Sequence, residues 1–164
     1  MADADVPPEL RDAVRLLETL TGSVVLDVAD SHARWELYGA ALTSNAARPA
    51  LLDAVVSETD AALASGVVGE ALERVPRADR ETWVRALAPS VRAFSARRAH
   101  ELGILEDLRS GTGAGEPGPE LVDGWSDWLQ LRITTEVSDP SVLRVLAKSG
   151  RTKRIRRAAE VALD

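Results

Sequence analysis

Cysteine is absent from this chain of 164 residues. That excludes disulfides, thiolate metal sites and a cysteine nucleophile. Histidine is almost absent, with only His32 and His100, and neither has a second ligand at metal spacing. Aromatic residues make up 4% (Trp35, Trp83, Trp125, Trp128, Tyr38 and Phe94), while alanine and leucine abound. Strands favour β-branched and aromatic side chains, so this balance predicts closely packed helices rather than a sheet sandwich. No apolar run approaches the roughly 18 residues needed to cross a membrane. The start, Met1-Ala2-Asp3-Ala4-Asp5-Val6-Pro7-Pro8, is acidic and lacks the basic and apolar regions of a signal peptide. The expectation is a cytoplasmic protein with no membrane partner.

What is present fits one all-α domain over residues 1–164. The net charge of −6 is unevenly spread: residues 140–164 carry seven basic and two acidic side chains, which leaves −11 on the rest. Such polarity steers partners.

Helix-start and helix-stop signals recur along the chain. Pro7-Pro8-Glu9 opens a helix with Leu10, Val14, Leu17 and Leu20 on its apolar side, closed by Thr21-Gly22. Asp30-Ser31-His32 starts a second, through Trp35, Leu37, Tyr38 and Leu42. Arg48-Pro49 starts a third and Asp60 a fourth, in which Gly66 and Gly69 imply close backbone contact or a break. Asp79 caps a longer region that Pro89 must kink or divide. Residues 110–119, rich in glycine and proline, form a flexible connection; they follow a helix and lack the Gly-Lys-Ser/Thr ending of a phosphate loop. One helix is then predicted through Val122, Trp125, Trp128, Leu129 and Ile133. Asp139 caps the next, with Pro140 in its first turn and Gly150 at its end. In the last helix, Ile155, Ala158, Ala159 and Ala162 make one alanine-rich stripe, which requires a close neighbour.

These restarts resemble HEAT repeats, in which antiparallel helix pairs stack into a solenoid. Asp139-Pro140-Ser141-Val142 is similar to the Asp-Pro-x-Val-Arg opening of that family's second helix, with Leu143 in place of arginine. Ile155-Arg156-Arg157-Ala158-Ala159-Glu160-Val161-Ala162-Leu163 resembles its Ala-Ala-x-x-Ala-Leu continuation. Residues 30–42 and 60–72 also share Asp, Gly, Ala and Leu at an offset of 30. The resemblance implies a short HEAT-like solenoid; a compact helical bundle is the alternative.

Two groups are candidate macromolecule-binding sites. Lys148, Arg151, Lys153, Arg154, Arg156 and Arg157 form a basic segment suited to phosphates or to an acidic protein. The plainer reading is the wet face of an amphipathic helix. A helix-turn-helix reading fails, because Ala147 and Gly150 are three apart where that motif has four. Trp125 and Trp128, three apart on one predicted helix, offer anchor residues for a partner or belong to a core packed on two sides. Catalytic, cofactor and metal constellations are not found. The expected function is a non-enzymatic scaffold or adaptor with a protein partner. The alternatives are a nucleic-acid-binding regulator using the basic segment, and a helical enzyme or small-ligand protein.

Overall fold

The computed structural model describes residues 6–112 and 116–164. Among them are ten α-helices and no strand. No helix of the described residues is long and apolar enough to cross a membrane. The chain divides into two compact units, Met1–Ala99 and His100–Asp164, described here separately.

The first unit opens with α1 (Pro8–Thr21), in which Leu10, Val14 and Leu17 are buried at i, i+4 and i+7. Gly22 ends it at φ 75°, a left-handed conformation that glycine adopts without strain, and its N–H reaches the Glu18 carbonyl. Leu20, expected on the inner side, is 43% exposed, because α1 buries a narrower stripe than its leucines span. The apolar run Val24-Val25-Leu26 forms no strand. Then come α2 (Ser31–Leu42), α3 (Arg48–Ser57), α4 (Ala61–Leu72) and α5 (Arg80–Ala86). The side chains of Asp30 and Asp60 cap α2 and α4 as their sequence positions predict.

Packing skips along the chain: α1 rests on α2 and α3, α2 on α4, and α3 on α5. Gly66 explains one of these approaches. A Cβ there would stand 3.1 Å from the Trp35 ring, so glycine lets α4 lie under that indole. Gly69 has open space instead.

Around α5 one sequence expectation changes and another is resolved. Asp79 makes no side-chain cap and sits in a 3₁₀ turn, Arg77–Asp79. Pro89 divides rather than kinks: α5 stops at Ala86, a 3₁₀ turn spans Pro89–Val91, and α6 runs over Arg92–Ser110. The α6 helix closes on Gly111 at φ 68°, with the Thr112 N–H reaching back to the Asp107 carbonyl. Of the glycine-rich connection, residues 113–115 lie outside the described residues.

The second unit holds α7 (Pro119–Asp123), α8 (Asp127–Glu136), α9 (Pro140–Ser149) and α10 (Lys153–Leu163). The single helix expected from Val122 to Ile133 is two. The first ends at Asp123 with Gly124 as its C-cap, and Ser126 caps the second, its Oγ accepting from the Leu129 N–H at 3.2 Å; local side-chain capping overrides a continuous apolar pattern. Trp125 therefore falls in the link, not on a helix face shared with Trp128. Leu105, Leu129, Ile133, Leu146 and Ile155 are fully buried together at the centre of this unit. Each such side chain contributes roughly 1.5–3 kcal/mol of transfer free energy.

Candidate functional site

Buried charge is the first place to look for chemistry, because an unpaired ion is too costly to keep inside. In the first unit, the Arg34 guanidinium and the fully buried Glu58 carboxylate meet in a two-pronged pair, Nε–Oε2 2.9 Å and Nη2–Oε1 2.8 Å. The third arm, Nη1, donates to the Val28 carbonyl at 2.6 Å. Tyr38 donates its hydroxyl to Glu58 Oε2 at 2.8 Å, and the Asp60 N–H donates to Oε1 at 2.9 Å. Burial alone would lower the Arg34 pKa, but the hydrogen bonds and charge of Glu58 outweigh it and hold the guanidinium ionised. Burial, then the Glu58 charge, push the Tyr38 phenol well above its ordinary value, so it stays a neutral donor. Every polar atom here is used to tie α2 to the α3–α4 link.

The second unit repeats the pattern around a buried amide. Gln130, fully buried, donates to the Val122 and Trp125 carbonyls and accepts from the Arg151 N–H at 3.0 Å. The Arg151 Nη2 adds bonds to the Asp123 and Trp125 carbonyls, and Nη1 lies 3.4 Å from Asp127 Oδ1. Glu101, also buried, accepts from the Ser126 N–H and hydroxyl. These contacts fasten the α7–α8 link to α6 and to the start of α10.

That arrangement separates the six predicted cations. Arg151 is occupied by the α7–α8 link, and Arg156 donates to the Gly150 carbonyl at 2.6 Å, closing the α9–α10 turn. Lys148 and Lys153 are exposed and do not line the groove that Arg154 and Arg157 share. Arg154 and Arg157 are brought together. With Thr134 and Thr135 of α8, and Ala158, Val161 and Ala162 of α10, they line a groove of about 450 Å³. Its floor is apolar, its cations are exposed, and Val161 is 67% exposed. The predicted alanine stripe is thus buried only at Ile155 and Ala159; Ala162 faces solvent.

The tryptophan pair separates as well. Trp125 is 5% exposed within the core, with its indole Nε1 lacking an acceptor among the described residues. It is an internal residue of this unit. Trp128 is half-buried, with the Arg132 guanidinium 5.0 Å from its ring centre. Sequence reasoning missed Thr134, Thr135 and Val161 as groove residues. The one available signal was Val161, a large apolar side chain standing off the alanine stripe.

The direction of the helices around the groove follows from these bonds. Arg151, just before α10, is held at the start of α8, whereas Ala158, Val161 and Ala162 stand beside the last turn of α8. Helices α8 and α10 therefore run the same way, and α9 returns between them. Among the described residues, no group of three or more His, Asp or Glu is placed to hold a metal. No family model, curated protein or solved structure matches this chain.

Proposed function

We propose that this chain is a non-enzymatic, HEAT-like helical scaffold of the cytoplasm that binds another protein along the α8–α10 groove. The carrying observation is the groove itself: an exposed apolar floor beside two exposed cations, Arg154 and Arg157, between two helices that run in one direction. Parallel first and third helices with an antiparallel second are what stacked helical hairpins require. The same second-neighbour packing in the first unit, α1 on α3 and α2 on α4, supports that reading. Buried charges spent on fastening helices support a rigid frame over a reaction site. A protein fits the groove better than nucleic acid does, because Arg151 and Arg156 are withdrawn from the basic run and the floor is apolar.

The test places a photo-cross-linking side chain at Val161 and, as a control, at Leu26, which is 97% exposed in the first unit. Irradiated cells expressing either variant should show discrete protein adducts at Val161 only. Equal adduct patterns at both positions, or nucleic acid as the captured species, would contradict the proposal.

A further inference from the structure

A second exposed helix face in this chain carries the complement of the groove. On α1, Glu9, Asp12, Leu16 and Leu20 fall within about 80° of one another at 100° per residue, and all four are exposed. Leu16 is 47% and Leu20 43% exposed, an apolar continuation of an acidic stripe. On α10 the exposed order is Arg154, Arg157, Val161. The two stripes share one spacing, three residues and then four. At a single offset of 145 positions, Glu9 matches Arg154, Asp12 matches Arg157, and Leu16 matches Val161. Each stripe spans eight residues, seven steps and about 10.5 Å of helix.

We propose that the α8–α10 groove is filled by α1 of a second copy of this chain, laid parallel to α10. This rests on the reading of the groove as a protein-docking surface and names its occupant. Parallel placement sets both carboxylates against both guanidinium groups and sets Leu16 on the Val161 and Ala158 floor. It also repeats the direction that α10 already takes beside α8, so the second copy extends the stack. The Asp12–Arg15 pair on α1, 3.8 Å apart and with both side chains about three-quarters exposed, is a loose surface contact that yields to the new partners. The contact joins two different faces, one in each unit, so each copy both offers an α1 and accepts one. The remainder of the chain, net −11 outside residues 140–164, adds long-range attraction for the basic face of the next copy.

Sedimentation velocity of the full chain at rising concentration tests this. The expected result is reversible self-association that weakens as salt rises, since screening is strong beyond about 8 Å at physiological ionic strength. Arg154→Glu with Arg157→Glu should weaken association by more than about tenfold, as should Glu9→Lys with Asp12→Lys, because each sets like charges against one another. Mixing the two variant proteins should restore association, since each then offers the face the other needs. All four positions are exposed, and circular dichroism confirms that the variants stay folded. A wild-type protein that stays monomeric throughout overturns the proposal, as does association indifferent to these substitutions, or variants that fail to recover on mixing. None of these failures touches the scaffold reading, which the Val161 cross-link decides separately: adducts to a different protein would retain the scaffold and remove self-docking.

Discussion

Removing the Glu58 carboxylate is the perturbation with the largest expected effect on the first unit. Its two oxygens accept from Arg34 Nε and Nη2, the Tyr38 hydroxyl and the Asp60 N–H, all at 2.8–2.9 Å. In Glu58→Leu, Arg34 remains 4% exposed and keeps only the Val28 carbonyl. Breaking one side of a buried ion pair costs about 3–5 kcal/mol, because the surviving charge is uncompensated. Arg34→Met should cost a similar amount. The double substitution Arg34→Met with Glu58→Leu removes both charges and leaves only the Tyr38 hydroxyl, the Asp60 N–H and the Val28 carbonyl to be re-satisfied. At about 1–3 kcal/mol for a buried unsatisfied group, and with water reaching some of them, the double variant should lose far less than the two singles together. Against a total stability of about 5–15 kcal/mol, either single change is severe. Urea titration read by hydrogen-exchange mass spectrometry on α2–α4 peptides measures all three variants in that unit alone. A Glu58→Leu loss below about 1 kcal/mol, or a double loss equal to the sum of the singles, would refute the reasoning.

Three further outcomes follow from the second unit. Gly150→Ala should destabilise by about 1–3 kcal/mol, since the added Cβ would stand 2.6 Å from the Leu146 carbonyl oxygen and 2.7 Å from Ile155 Cγ2; a thermal melt measures it. Trp125→Ala should cost about 3–5 kcal/mol and Trp128→Ala distinctly less, because only the first is buried; equal losses in a urea melt would contradict that placement. The Ser141 hydroxyl and N–H hold the Asp139 carboxyl below the usual carboxylate range. Its folded pKa is depressed, so the stability it gives is complete above the ordinary value of about 3.9 and is lost as pH falls through the lowered one. Asp139→Asn should flatten that acid-side loss in a pH series of melts.

The helix starts were legible wherever a side chain caps its own neighbours. Asp30, Asp60 and Asp139 each accept from backbone N–H groups two or three residues on, an interaction fixed by local sequence. Ser126 does the same but was masked by apolar residues that continue a helical period across the break, while Thr152 caps α10 just past the stop that Gly150 marked. Fastening of the helices was not legible. Arg34 and Glu58 are 24 residues apart, and Arg151 reaches Asp123 and Trp125 across 28 and 26 residues, distances over which periodicity carries no information. For that reason the basic segment read as six equivalent cations when the fold spends two of them internally. The alanine stripe of α10 marked the correct face, but sequence alone could not tell which part of it α8 and α9 would cover.

Disulfide trapping tests the groove most directly, because the chain has no cysteine of its own to interfere. Val161→Cys and Leu16→Cys proteins, mixed under mild oxidation, should form the cross-linked pair Val161–Leu16 well ahead of either homodimer. That pair should also form faster than any pair made with a Leu26→Cys control. Formation at the rate of random collision, with Leu26→Cys reacting as readily as Leu16→Cys, would contradict docking of α1 in the α8–α10 groove.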